Sequence, residues 1–284
     1  MYRRLKVGHT GITWFDNEAE NAIKTIAKLG FHGAEIFGWV LNSMKQEGKL
    51  DLFEKYDLPL VSSYFSLDIM NPAKKEEALQ KLDTWAKILV EKGGRYVTLG
   101  GDMFNRKGYD FNEHKSYIVS FVNEIGKILN DMGLVLGFHP HTGTPVETRE
   151  EIESFMDSVD TTYVGFSPDV GQIQKGGSDP IDIVNKYLSI IKLVHLKDFC
   201  GKVEYDEDGR EIDTSGYLAY CPLGEGVVDL PKILDIMENS DFDGYIMAEL
   251  DRGPEMPISA EEAVQRNAEY LKKLNFKFVE RNIE

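Results

Sequence analysis

Eight short apolar runs alternate with segments of helical periodicity, and this alternation constrains the fold more than any other feature of the sequence. Such runs are typical of buried strands, and each is followed by a stretch with apolar residues at helical spacing. We predict strands at Val7–Ile12, Gly33–Phe37, Leu60–Phe65, Tyr96–Leu99, Val135–His139, Val164–Ser167, Leu193–His195 and Tyr245–Glu249. Strands that alternate with helices form parallel sheets through right-handed crossovers, and eight such units suggest an α/β protein with a closed (β/α)8 TIM barrel.

The length of the chain fits one barrel, so we predict a single domain over residues 1–284. A doubly wound open sheet is the alternative, and we disfavour it because no G-x-G-x-x-G follows the first strand. One connection, residues 199–228, is unusually long. We predict that it contains a hairpin turning at Asp208 and Gly209 and that it could act as a lid.

Local signals predict where several helices begin and end. Asp16 is placed to cap the first helix, whose apolar face carries Ile23 and Ile26, and Gly30 is placed to end it. The segments 148–151 and 259–262 have the spacing of capping boxes, which start later helices.

The composition argues against several classes of function. A net charge of −16 repels polyanions, so we do not expect a nucleic acid partner. No apolar run approaches the roughly 20 residues that span a bilayer, and the N-terminus has no apolar signal segment, so we expect no membrane partner and no secretion. Cys200 and Cys221 have neither metal nor redox spacing, which favours a reduced, cytoplasmic protein.

Four consecutive strands, the fifth to the eighth, end in side chains that can bind a metal. Active sites of such barrels lie at the C-terminal ends of the strands, where neighbouring strands are about 4.8 Å apart. The residues are His139, Asp169, His195 and Glu249. Taken singly, each histidine is more often a structural residue and Asp169 is as readily a helix cap. Together they form a nitrogen and oxygen set that suits Mn²⁺, Fe²⁺, Co²⁺ or Zn²⁺.

Three blocks of the sequence, residues 138–156, 167–198 and 220–254, resemble the corresponding blocks of inosose (2-keto-myo-inositol) dehydratases. These enzymes belong to the xylose-isomerase-like superfamily of sugar isomerases and epimerases, whose opening the segments VGHTGITW and GFHGAEIFG also resemble. The resemblance implies a TIM barrel with one divalent metal at the rim, Mn²⁺ or Co²⁺ first and Zn²⁺, Fe²⁺ or Mg²⁺ as alternatives. By motif it assigns the metal to Asp169, His195, Glu249 and a strand-five residue.

The strand-five position holds His139, where many members of the superfamily have a glutamate. His141 shares the strand face of His139, so either histidine could supply this ligand. The other would be a second ligand, a substrate contact or a proton carrier. The D-T-G-H block of the family reads Asp169-Val-Gly-Gln172 here. Gln172 cannot titrate, and with a divergent strand-four end, TLGGDMFNR, this leaves inosose itself open as the substrate.

The resemblance implies that the chain is a metal-dependent lyase that dehydrates an inosose-like keto-polyol. The metal would stabilise the enolate formed when the α-proton leaves. His141 or a rim carboxylate would take that proton, and Lys197 would bind or protonate the departing oxygen. The alternatives are a keto-sugar isomerase or epimerase, an enzyme that cleaves 3-keto-glycosides, and a sugar-binding barrel without activity. We disfavour an endonuclease, because the chain is strongly acidic.

Four further residues follow the early strands or the last one. Glu35 could face the catalytic pocket or be a structural carboxylate. Trp14 and Trp39 could cover the apolar face of a sugar, although core packing is the more common role. Arg252 could orient an anionic substrate group or pair with Asp251 at the surface. The expected partner is thus a small polyol or keto-sugar, and the resemblance also suggests a homo-oligomer.

Overall fold

The computed structural model describes residues 2–205, 207, 211–212, 219–252 and 256–283. Its largest sheet has eight parallel strands in the order β6-β5-β4-β3-β2-β1-β12-β7. They are β1 (Lys6–Thr10), β2 (Ala34–Phe37), β3 (Leu60–Leu67), β4 (Tyr96–Gly101), β5 (Val135–Phe138), β6 (Val164–Phe166), β7 (Leu193–Leu196) and β12 (Tyr245–Ala248). The predicted barrel is confirmed, and each predicted strand overlaps an observed one.

The barrel closes between β6 and β7 through two isolated parallel bridges rather than a continuous ladder. One bridge joins Phe166 to Ile191, and the other joins Asp169 to His195. The His195 N–H donates to the carbonyl of Pro168 at 2.9 Å. Closure therefore brings two of the predicted metal ligands next to each other.

Ten helices occur in the described part of the chain. They are α1 (Ala19–Leu29), α2 (Gly38–Gln46), α3 (Leu52–Lys55), α4 (Lys75–Glu91), α5 (Phe111–Asp131), α6 (Arg149–Met156), α7 (Val170–Lys175), α8 (Pro180–Tyr187), α9 (Leu230–Glu238) and α10 (Ala260–Lys273). In α1, Ala22, Ile23 and Ile26 are buried on one face, as the periodicity predicts.

Most of the predicted helix ends are observed. Gly30 ends α1 in the left-handed conformation with φ 88°, which a residue with a Cβ rarely adopts. Thr148 and Glu151 form a reciprocal capping box at α6, whereas Ser259 caps α10 through its own hydroxyl. The prediction for Asp16 is wrong: it begins a short 3₁₀ turn ahead of α1, and its Oδ2 accepts a hydrogen bond from Trp39 instead.

The long connection after β7 contains two small antiparallel pairs. Strand β8 (Asp198–Phe199) pairs with β11 (Tyr220–Cys221), and β9 (Glu204–Tyr205) pairs with β10 (Glu211–Ile212). The second pair agrees with the predicted hairpin, while the predicted turn at Asp208 and Gly209 lies outside the described residues. A lid role for this connection stays a prediction.

The barrel interior is apolar at one end and polar at the other. Val61, Tyr96 and Leu193, near the starts of their strands, form a small apolar cluster with Met247. Buried histidines and carboxylates lie near the opposite, C-terminal ends. A larger cluster between sheet and helices forms the main core. Among the described residues, no helix has the length and apolar character needed to cross a membrane.

Candidate metal centre and active site

Three of the predicted ligands meet at the C-terminal end of the barrel. His139 directly follows β5, Asp169 follows β6, and His195 lies in β7. Their ligand atoms all lie within 4.8 Å of one another, and all three side chains are buried. Asp169 Oδ1 accepts a hydrogen bond from the Gln172 N–H and so caps α7, while Oδ2 faces the cluster, 4.0 Å from His139 Nε2. Asp169 therefore caps α7 with one carboxylate oxygen and offers the other oxygen to the group of potential metal ligands.

Glu249, directly after β12, contacts both His195 and Lys197. Its Oε2 is 2.6 Å from His195 Nδ1, and its Oε1 is 3.0 Å from Lys197 Nζ. Burial opposes ionisation, but Lys197 and His195 outweigh it and hold the pKa of Glu249 well below its ordinary value. The carboxylate therefore adjoins the three-residue group through His195 without belonging to its tight set of ligand atoms.

Lys197 is completely buried among carboxylates. Its Nζ lies 2.9 Å from Asp169 Oδ2 and 3.0 Å from both Glu249 Oε1 and Asp251 Oδ2. Burial alone would lower the pKa of Lys197, but these carboxylates raise it well above its ordinary value. Lys197 therefore lies inside the site and does not form a surface ion pair with the neighbouring Asp198.

Asp198 instead anchors the long connection after β7. Its carboxylate accepts backbone N–H bonds from Gly224 at 2.9 Å, Gly226 at 3.0 Å and Val228 at 3.2 Å. A carboxylate satisfied by several backbone donors is fixed in place. Asp198 thus joins the start of the connection to its end.

His141 has partners at both ring nitrogens. Nδ1 lies 2.6 Å from the carbonyl of Thr142, which can only accept, so Nδ1 carries the proton. Nε2, at 2.7 Å, then accepts from the amide of Gln172. Burial lowers the pKa of His141 to about 3. His141 is therefore a neutral, doubly hydrogen-bonded imidazole in this structure.

Gln172 and Asp251 also join the site, although the sequence analysis named neither as a functional residue. The Gln172 amide nitrogen is 3.5 Å from Asp251 Oδ2, and its Oε1 accepts from the Thr142 hydroxyl at 2.6 Å. Asp251 lies two residues beyond Glu249, and residues two apart in extended chain share a face. The same spacing argument that linked His139 with His141 could have found it.

Glu35, in β2, also faces the cluster and is buried. Its Oε1 lies 2.9 Å from His195 Nε2, and its Oε2 accepts hydroxyl bonds from Ser62 and Thr98, both at 2.7 Å. Burial opposes the charge on His195, but the carboxylates of Glu35 and Glu249 raise its pKa well above the ordinary value. Ser62 and Thr98 were missed because a small hydroxyl inside a strand has no distinctive sequence signal.

The three residues predicted to bind substrate have protein partners. Trp14 is buried and its indole N–H donates to Glu261, while Trp39 stacks on Phe37. Arg252 pairs with Glu18 at 3.0 Å rather than with Asp251. The alternative of a surface pair between Arg252 and Asp251 is wrong, because Asp251 points inward to Lys197.

The donor set fits a divalent cation. Among the described residues, Asp169 Oδ2, His139 Nδ1 and both ring nitrogens of His195 are buried and make no aligned hydrogen bond. Within the described part of the chain, the cationic partners of the carboxyl groups of Glu35, Asp169, Glu249 and Asp251 are His195 and Lys197. Imidazole and carboxylate ligands together suit first-row divalent ions.

A model of the xylose isomerase-like TIM barrel family matches residues 23–274. The chain belongs to this family. An inosose dehydratase from Clostridium botulinum is 25% identical to this xylose isomerase-like barrel over 292 aligned residues, covering 95% of this chain and 97% of that protein. The family predicted from the sequence is therefore confirmed.

Solved structures share the fold over nearly the whole chain. The IolI protein, crystallised with a bound zinc atom, has a TM-score of 0.76 at 18% identity and covers 98% of this chain and 100% of its own. A probable 3-DHS dehydratase, AsbF of Bacillus anthracis, has a TM-score of 0.75 at 16% identity and covers 94% of this chain and 99% of its own. The full-length relatives are named as enzymes, and this xylose isomerase-like barrel is an enzyme too.

Proposed function

We propose that the chain is a divalent-metal-dependent dehydratase that acts on a cyclic polyhydroxylated ketone of the inosose class. The observation that carries the proposal is the buried group of His139, Asp169 and His195, with Glu249 and Lys197 beside it. Full-length similarity to an inosose dehydratase supports the reaction class. Similarity to a zinc-bound barrel supports the metal.

The metal would be held by His139, Asp169 and His195, with Glu249 completing the set. When bound, a divalent ion supplies a Lewis acid that polarises a ketone oxygen and makes the neighbouring C–H bond acidic. The ion would be Mn²⁺ or Co²⁺ first, with Zn²⁺, Fe²⁺ or Mg²⁺ as alternatives, because mixed nitrogen and oxygen sites accept several of them.

The protein's own residues would move the protons. A carboxylate at the rim takes the α-proton; Asp251 is our candidate, because its Oδ1 makes no hydrogen bond while its Oδ2 is held by Lys197. His141 is a poorer candidate than the sequence suggests, because both of its nitrogens are hydrogen-bonded.

The elimination then balances within the substrate. The electron pair of the broken C–H bond forms the C=C bond as the β-hydroxyl leaves. Lys197, a buried ammonium with three carboxylate neighbours, binds the leaving oxygen. Asp251, protonated by the α-proton, donates that proton to the leaving oxygen and releases it as water, which restores the carboxylate held by Lys197.

Metal analysis combined with turnover tests this proposal. Wild type, Glu249→Ala and His195→Ala are loaded with Mn²⁺ or Co²⁺, desalted and assayed for metal and for inosose dehydration by enone absorbance. We expect about one metal per wild-type chain, reduced in both variants together with turnover. Glu269→Ala is the control, because Glu269 is exposed on α10 and accepts a hydrogen bond from Gln265, one turn away on the same helix.

Two results would contradict the proposal in different ways. Wild type that retains no metal after loading would remove the metal centre. Wild type that holds metal and exchanges the α-proton of a keto-sugar with solvent deuterium, but releases no dehydrated product, would instead make the chain an isomerase or epimerase.

A further inference from the structure

Glu35 lies in an unusual position for a carboxylate, inside the barrel and 2% exposed. The pairing of β2 with β3 shifts register between Ala34 and Glu35, which then pairs with Ser62. Such bulges redirect side chains and often occur beside active sites. A buried carboxylate needs partners to offset its lost hydration, so the contacts of Glu35 indicate its role.

The two carboxylate oxygens of Glu35 have different partners. Oε2 accepts the hydroxyls of Ser62 in β3 and Thr98 in β4, each at 2.7 Å. Oε1 lies 2.9 Å from His195 Nε2, on β7. The carboxylate is thus held by two neighbouring strands while it contacts a histidine from across the barrel.

His195 contacts a carboxylate at each ring nitrogen: Glu35 Oε1 lies 2.9 Å from Nε2, and Glu249 Oε2 lies 2.6 Å from Nδ1. A cation bound beside Glu249 would take up the lone pair of Nδ1. The remaining N–H of the neutral imidazole would then be at Nε2 and point to Glu35, which can only accept. Metal-binding histidines typically direct the other ring N–H to a carboxylate in this manner, which fixes the ring and makes the ligating nitrogen more basic.

We propose that Glu35 is a positioning residue that holds His195 in the Nε2–H tautomer and turns Nδ1 toward the metal, with Ser62 and Thr98 fixing the carboxylate. This inference rests on the proposed function, because it takes His195 as a ligand. It differs from a direct catalytic role for Glu35. The carboxylate is enclosed by His195 and two hydroxyls, so it acts through His195 rather than on the substrate.

Cobalt binding to Glu35→Gln tests the proposal without relying on turnover. The affinity for Co²⁺ is measured by chelator competition at constant pH, and the visible absorption of bound Co²⁺ reports the ligand set. We expect binding 10- to 100-fold weaker than in wild type, with one ion per chain and an unchanged band pattern. Ser62→Ala and Thr98→Val should each weaken binding less, because Glu35 keeps one hydroxyl partner.

Glu20→Gln is the matched control, because Glu20 is solvent-exposed and pairs with Lys55 and Tyr56 away from the site. Affinity of Glu35→Gln within twofold of wild type would overturn the proposal. A changed band pattern, like that of His195→Gln, would also overturn it, because Glu35 would then be a ligand itself. Wild type that binds no Co²⁺ would instead overturn the proposed function together with this inference.

Nitrogen-15 NMR of the zinc-loaded wild type tests the tautomer of His195 even if Glu35→Gln fails to fold. We expect one histidine with a protonated Nε2 and a metal-bound Nδ1, identified as His195 by its loss in His195→Gln. Zinc bound at Nε2 of that histidine would refute the positioning role.

Discussion

Lys197→Met should strongly destabilise the metal-free protein. The side chain is fully buried, and its ammonium is within 3.0 Å of Asp169, Glu249 and Asp251. Methionine fills a similar volume but carries no charge, so three buried carboxylates lose their common cation. Removing one partner of a buried ion pair costs about 3–5 kcal/mol, because the other partner is left uncompensated.

The loss in the free energy of unfolding corresponds to a fall in Tm that depends on the unfolding entropy, which scales with chain length. Unfolding entropy is roughly 2.1 cal/mol/K per residue, and the chain has 284 residues. The expected fall in Tm is therefore about 5–8 °C. Calorimetry in the presence of a chelator measures it without a contribution from bound metal.

Lys87→Met provides the comparison, because Lys87 makes a solvent-exposed pair with Asp83 one turn away. Such pairs contribute about 0.3–0.5 kcal/mol, so its Tm should change by less than about 1 °C. If Lys197→Met has the same Tm as Lys87→Met, the reasoning is refuted, because the folded protein would then not need Lys197 to compensate the three buried carboxylates.

Two further predictions concern the scaffold. Burial lowers the pKa of His9 to about 4, so the unfolded chain binds a proton first as the pH falls below 6.5. The contribution of His9 to folding stability should therefore drop by about 2 kcal/mol between pH 7 and pH 5, and urea denaturation of His9→Gln should show a total drop that is smaller than that of wild type by about this amount. Asp198→Asn puts an amide donor among three backbone donors, so cleavage by a protease within residues 199–228 should accelerate, whereas equal rates would exclude Asp198 as an anchor.

Sequence periodicity was sufficient for the fold because it reports burial directly. The errors at the strand ends are small. Strand β4 runs two residues beyond the predicted end at Leu99, and β5 ends one residue before the predicted end at His139. Helix entry was less predictable. Asp16 satisfies the local preference for a cap, yet the chain first makes a 3₁₀ turn and the carboxylate bonds to Trp39 from another helix. That partner is distant in sequence, so no local pattern could reveal it.

In the candidate site, too, the positions of residues along the chain were predictable, whereas their contact partners were not. Strand ends pointed to His139, Asp169 and His195 because residues at successive strand ends meet at one rim. The partners of each side chain were not predictable, because they depend on tertiary distances. The role of His141 changes most. Its spacing from His139 is typical of a paired functional site. In the structure, however, both of its ring nitrogens are engaged, because it donates to the carbonyl of Thr142 and accepts from the amide of Gln172.

Burial lowers the pKa of His141 to about 3, and Gln172, which stands where the resemblance implies a histidine, fixes the orientation of its ring. An amide can donate to Nε2 of His141 while accepting from the hydroxyl of Thr142, and it carries no titrating proton. A histidine pair at these positions could exchange protons, whereas a histidine and an amide hold one arrangement. In the proposed reaction, proton transfer would then depend on the carboxylates, which Lys197 links by direct contacts from Asp169 to Asp251. The departure from the family motif therefore shifts the expected chemistry from strand β5 to strands β7 and β12.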